Sequence, residues 1–187
     1  MIYYNKWHIK LISLYFILKE IGGAIMLRRE MTEEDRMKKK EVGLKVKEIK
    51  NKDLCPSCYN QEFGGLYADF TDRLIYENEK VFCFLEEYPR TPGHTIILAK
   101  EHYEDISEMP VEVGTAVMEA ATHVTNKIKE VLGAEKVYMC TMCDDGRNHL
   151  HFQLIPRYDG DIIGSKLFVK ERGVVEVDKE LIEKLRK

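Results

Sequence analysis

The residues best equipped for chemistry lie in Asn148-His149-Leu150-His151-Phe152-Gln153-Leu154-Ile155-Pro156-Arg157. Polar and apolar side chains alternate here with period two, the signature of a β-strand. His149, His151 and Gln153 therefore share one face, and Leu150, Phe152 and Leu154 point the other way, into a core. Two imidazoles and an amide on one strand face are costly to bury without partners, and titratable groups gathered in this way mark functional sites. A neutral imidazole is a competent nucleophile near pH 7. Attack on an α-phosphate would give a phospho-imidazole intermediate and split one hard displacement into two easier ones. Gln153 narrows the chemistry. A histidine there can protonate a leaving amine or alcohol, whereas a glutamine offers only a neutral hydrogen bond. Leaving groups that need no proton, such as phosphates, fit; leaving amines do not. Arg147 and Asn148 adjoin the strand and can reach phosphate oxygens, arginine by a bidentate contact.

A second constellation is built on cysteine. Of the five cysteines, Cys55 and Cys58 form one C-x-x-C pair, Cys140 and Cys143 another, and Cys83 stands alone. This usage suits a metal site in a reducing, cytoplasmic compartment better than a disulfide framework. A zinc ion needs two more N or S ligands beside Cys55 and Cys58. Either His102 with His149, or Cys140 with Cys143, can supply them. Cys140 and Cys143 close an apparent strand, where a spacing of three turns them to opposite faces unless the chain bends.

The His-x-His-x-Gln strand resembles the His-φ-His-φ-His-φ-φ signature (φ apolar) of the histidine-triad (HIT) superfamily. Its final Gln is similar to the branch holding galactose-1-phosphate uridylyltransferase and some dinucleoside polyphosphate phosphorylases. Upstream, Phe84-Leu85-Glu86-Glu87-Tyr88-Pro89-Arg90-Thr91-Pro92-Gly93-His94-Thr95-Ile96-Ile97-Leu98-Ala99-Lys100-Glu101-His102 resembles that family's F-L-D-x-x-P-x-x-P-G-H-x-L-V-I-P-K-x-H segment. With Cys55-Pro56-Ser57-Cys58, the resemblance spans residues 52–157. It implies a covalent nucleotidyl intermediate on His151, with Gln153 beside it, and Glu86 as the acidic group that binds ribose hydroxyls. It implies a structural zinc on Cys55, Cys58, His102 and His149. It also implies a nucleotide substrate of dinucleoside polyphosphate or nucleotide-sugar type, processed by transfer, phosphorolysis or hydrolysis, and it is compatible with a homodimer, since relatives are commonly dimers. The loop before the triad is shorter here than the Gly- and Ser-containing loop of relatives, which removes some of their phosphate contacts. The competing reading is a zinc-stabilised nucleotide-binding module with little turnover.

The elements that must position these residues follow from pattern and punctuation. Leu74–Glu77 and Lys80–Glu86 read as strands joined at Asn78-Glu79, His94–Lys100 as a third, and Lys136–Met142 as a fourth. Between them, Pro110–Leu132 reads as a long helix with an apolar stripe of Val113, Val117, Ala120, Ala121, Val124 and Ile128, stopped by Gly133. The short links predict an α+β domain, and the resemblance specifies an antiparallel sheet of about five strands with one long helix packed on it. Outside the HIT domain (52–157), residues 32–51 read as a charged helix opened by Thr32-Glu33-Glu34-Asp35. Residues 158–187 read as an extension that ends in a helix from Asp178.

Residues 1–31 read as a leader. Its apolar run, Ile9–Met26, is broken by Lys19 and Glu20 and is too short for a membrane span, and no signal-cleavage pattern follows it. Ile21-Gly22-Gly23 matches a translated purine-rich ribosome-binding run just before Met26, which predicts a native start at Met26 or Met31. The net charge of −3 and pI near 6.1 argue against a general nucleic-acid binder.

Overall fold

Alternating strands and one amphipathic helix assemble into two layers. The computed structural model describes residues 28–67, 70–142, 147–176 and 179–187. Of the proposed start sites, Met26 lies outside them and Met31 within them; most of the leader lies outside, as do Cys143 and Asp178.

In chain order the elements are β1 (Arg28–Glu30), α1 (Glu33–Asn51), α2 (Pro56–Phe63), β2 (Leu74–Glu77), β3 (Val81–Leu85), β4 (Thr95–Ala99), α3 (Val111–Leu132), β5 (Lys136–Cys140), β6 (His151–Arg157), β7 (Gly173–Val175) and α4 (Lys179–Arg186). β2 to β6 form one antiparallel sheet in the order β2-β3-β4-β6-β5. β1 pairs with β7 in a separate two-stranded ribbon, which ties the chain before α1 to the C-terminal extension. The expected α+β class, five-stranded sheet and long helix are all present.

The predicted stripe of α3 is the buried face of that helix: Val113, Val117, Ala120, Ala121, Val124 and Ile128 all lie in the core, with Leu132. Opposite them are Val81, Cys83, Leu85, Ile97, Phe152 and Leu154 of the sheet. Gly133 closes the helix in the left-handed conformation, and Pro110 is its N-cap, so the helix begins at Val111, one residue later than predicted. Thr32 caps α1 through a capping box with Asp35, as predicted. Of the apolar residues on α1, however, only Ile49 is buried and Leu44 is exposed. That helix lies over the domain surface and is not driven into the core.

The turn before β4 is made by Gly93, at φ +75, where a Cβ would come within 2.6 Å of Leu132 Cδ1. Only glycine combines that conformation with so close an approach. His94 and the β3–β4 loop are thereby set against the end of α3.

Candidate functional site

The second face of the sheet, away from α3, carries the polar residues. The strand begins at His151, two residues later than the alternation suggested, because Leu150 bonds the approach of the chain to Tyr103. His151 and Gln153 keep the predicted common face, and their neighbours in register on β4 are Leu98 and Ile96. His151 opens onto a cavity of about 260 Å³, which Phe84, Ile96 and Leu98 floor and Glu86 and Glu87 border. Tyr67 and α2 residues Ser57 and Asn60 close it from above.

The tautomer of His151 follows from its one backbone partner. Nδ1 lies 2.9 Å from the carbonyl oxygen of His149. A carbonyl only accepts, so Nδ1 carries the proton and the lone pair sits on Nε2. The acceptor is thus a carbonyl two residues back on the same segment.

Gln153 is almost fully buried, at 3 % exposure, and its partner is His94, at 1 %. The backbone N–H of Arg90 donates to His94 Nδ1 at 3.2 Å, so His94 Nε2 must be the protonated nitrogen. It donates to Gln153 Oε1 at 3.1 Å. The amide oxygen is therefore committed to His94, and Gln153 does not line the cavity that His151 opens onto. Burial pushes the His94 pKa down to about 4, so it stays neutral near pH 7. The structural task of His94 is to set the orientation of Gln153.

Cys55, Cys58, His102 and His149 come together as expected, with their ligand atoms all within 4.8 Å of one another. Cys55 stands at the N-cap of α2 and Cys58 one turn in, so Pro56 at the first helical position presents both thiols on one side. His149 Nε2 donates to Ala99 O at 2.8 Å, which leaves the Nδ1 lone pair for the thiols. That Nδ1 is 3.5 Å from Cys55 Sγ and 3.4 Å from Cys58 Sγ, and His102 Nδ1 is 3.5 Å from Cys58 Sγ. Burial and the neighbouring Cys55 raise the Cys58 thiol to about 11. The group could hold a metal ion. Cys140 stands apart, on β5 opposite Gln153, and its partner in the alternative Cys₄ set, Cys143, lies outside the described residues.

Glu86 reaches the cavity, where its Oε1 accepts the N–H of Tyr88 at 3.2 Å and pairs with Arg172 at 3.3 Å, leaving Oε2 for a ligand. Arg147 and Asn148 are placed differently from the expectation. Arg147 is ion-paired with Asp53 and Glu104, and Asn148 Nδ2 donates to Glu104 O at 2.9 Å. Neither borders the cavity. Both bind the chain entering β6 to the segments flanking the Cys–His cluster.

Sequence reading placed the C-terminal extension but assigned none of its residues to the site. Arg172 from that extension donates to Tyr88 O, while Lys170 O accepts from Arg90 Nη1 at 2.5 Å. Its 3₁₀ turn, Gly164–Val169, packs Phe168 against Tyr138 on the same side of the sheet as Gln153. No local signal marks Arg172, because its partner lies in the β3–β4 loop.

A sequence profile described as the HIT domain matches residues 68–160. An uncharacterized HIT-like protein of Methanocaldococcus jannaschii is 35% identical over 95 residues, covering 48% of this chain and 71% of that protein. One from Borreliella burgdorferi is 32% identical over 113 residues, covering 57% and 81%. Among solved structures, diadenosine triphosphate hydrolase of Plasmodium falciparum is similar in fold, with a TM-score of 0.50 at 13% identity over 65% of this chain and 79% of that one.

Proposed function

The chain belongs to the HIT-domain family, and on that premise we propose that it is a nucleotide-processing enzyme that works through a nucleotidyl-His151 intermediate. The observation that carries the reading is the proton on His151 Nδ1, which leaves the Nε2 lone pair facing the cavity. In the first step that lone pair attacks the α-phosphorus. The P–N bond forms as the bridging P–O bond breaks, and the electron pair departs with the leaving phosphate. The positive charge gained by the imidazole is spread toward His149 O. In the second step an oxygen of water, phosphate or a sugar phosphate attacks the same phosphorus. The P–N pair returns to Nε2, and the acceptor's proton, where it has one, passes to solvent. The Gln153 NH₂ donates to a phosphate oxygen in both steps, with no proton changing hands, which suits a phosphate leaving group. Glu86 Oε2 accepts from ribose hydroxyls, and Phe84, Ile96 and Leu98 floor the nucleoside site.

The Cys55, Cys58, His102 and His149 set fits zinc. Zn–S near 2.3 Å and Zn–N near 2.0 Å in a tetrahedron put S and N about 3.5 Å apart, and the S···N separations are 3.4–3.5 Å. When bound, the ion is structural, since four protein ligands leave no open position. His149 supplies both a ligand nitrogen and the carbonyl that fixes the nucleophile, so the cluster and the reaction share one residue. Arg147 and Asn148 keep that segment in place through Glu104 and Asp53, and phosphate contacts come from elsewhere.

Exposed Ile106, Val111 and Met118 run along an apolar groove between α3 and β5–β6, which supports a homodimer through that face. Free Cys55, Cys58, Cys83 and Cys140 suit a reducing cytoplasm, and no helix among the described residues is long and apolar enough to cross a membrane.

The test is the stereochemical course at a chirally labelled α-phosphorus. Two in-line displacements give net retention; net inversion means direct attack by the acceptor and refutes the intermediate.

A further inference from the structure

Three cations from separate parts of the chain gather beside Glu86. Arg172 comes from the C-terminal extension, Arg90 from the β3–β4 loop and Lys39 from α1. Arg172 Nη1 bridges Glu86 Oε1 and Tyr88 O. Lys39 Nζ lies over the Tyr88 ring, 5.7 Å from its centre. Arg90 donates through Nη1 to Lys170 O, but its Nε is buried without a hydrogen-bond partner among the described residues. A buried, unpartnered guanidinium N–H is costly unless something else accepts from it. Glu86 supplies one negative charge against three positive ones, and Arg172 already occupies one of its oxygens.

The cations also oppose each other. Burial, then the charge of Arg172, lowers the pKa of both Lys39 and Arg90. Two half-buried arginines and an exposed lysine placed together with too few anions make an anion-binding surface.

Its place in the site can be stated. The Arg90 charge is felt at Cys140, which sits directly opposite Gln153 in the β5–β6 register. The backbone N–H of Arg90 holds His94, the partner of Gln153. The cluster therefore lies on the Gln153 side of His151, beyond the residues that line the cavity.

We propose that Lys39, Arg90 and Arg172 form a subsite for the phosphoryl groups beyond the α-phosphate. In the forward step it holds the polyphosphate tail of the donor; in the return step the same cations hold an inorganic phosphate acceptor. This rests on the nucleotidyl-transfer reading of the site. α1 and the C-terminal extension are then not accessories: each lends a cation to the reaction path.

The experiment is calorimetric binding to the full chain of a nucleoside monophosphate and of its α,β-methylene triphosphate, whose scissile bridge cannot break. Wild type is expected to bind the triphosphate at least about tenfold more tightly, the effect of one charge-assisted hydrogen bond. Lys39→Gln and Arg90→Gln should each shrink that preference, and the double variant should abolish it, while monophosphate binding persists and reports that the variants are folded. A second arm titrates inorganic phosphate into enzyme saturated with monophosphate. Binding that is lost in the double variant supports the acceptor role. A tail preference without phosphate binding keeps the subsite and overturns the acceptor role. Equal affinity for the two nucleotides in wild type, or a preference that survives the double variant, overturns the subsite and leaves the nucleotidyl-transfer reading standing. Failure to bind either nucleotide overturns both.

Discussion

Acidification should weaken this fold through His94, by an amount that can be worked out. Burial holds the pKa of that imidazole at about 4, against an ordinary value of 6.5. The gap is about 2.5 units, and at about 1.4 kcal/mol per unit the full effect is about 3 kcal/mol. The sign follows from linkage: the folded pKa is the lower one, so the unfolded chain binds the proton first. Stability from this group is complete above pH 6.5, falls as the pH drops toward 4, and loses nothing more below that. The geometry gives the reason. Protonation adds an N–H at Nδ1, where the Arg90 N–H already points, and sets donor against donor. Against a typical total of about 5–15 kcal/mol the loss is large. The assay is urea unfolding of wild type and His94→Asn at a series of pH values from 7.5 to 4. At neutral pH the variant should be less stable by about 1–3 kcal/mol, the cost of leaving Gln153 Oε1 buried and unpaired. That deficit should shrink steadily on acidification, because only wild type carries the imidazole; carboxylates and the Cys–His cluster titrate equally in both. Two parallel curves would refute the account of His94 as a neutral donor to Gln153.

Other consequences are as direct. Cys55→Ser should lose zinc on gel filtration and lower both melting temperature and turnover, because the cluster and the nucleophile share His149; full activity in a folded, zinc-free variant would contradict that link. Gly93→Ala should cost about 1–3 kcal/mol in chemical denaturation, since the new Cβ meets Leu132 in a left-handed backbone. Glu86→Gln should narrow the preference for ribo- over deoxyribonucleotides by about tenfold in kcat/KM, the worth of hydrogen bonds to a charged acceptor. An unchanged preference would remove Glu86 from the ribose site.

Where spacing alone determines a side chain's direction, the sequence was informative. The stripe on α3 is buried residue for residue, and the alternation through Phe152 and Leu154 is what turns His151 and Gln153 to the open face. Cys55 and Cys58 announce a paired site by their spacing, and Pro56 explains how they face one way. Contacts that depend on distant segments left no such trace. Arg147 and Asn148 sit beside the triad strand in sequence, yet the acid that claims Arg147 is Asp53, 94 residues earlier. His94 is one turn residue among many until the fold brings it to Gln153, 59 residues on. The C-terminal extension has no motif at all, because the value of Arg172 lies in its meeting with Glu86. On α1, Val42 and Val46 stay half-buried and Leu44 exposed, as suits a charged helix that docks by one face.

The central claim is that His151 is the nucleophile. The most direct measurement is the intact mass of wild type and His151→Ala after incubation with a dinucleoside polyphosphate or, separately, a UDP-sugar, quenched at mildly basic pH, where phospho-imidazole bonds survive. The account predicts one added nucleoside monophosphate on wild type, located on the His151 peptide, and none on the variant; the donor that forms it identifies the substrate class. An adduct on another residue, or bound nucleotide with neither adduct nor turnover, would contradict the account, and the latter would make the protein a binding module.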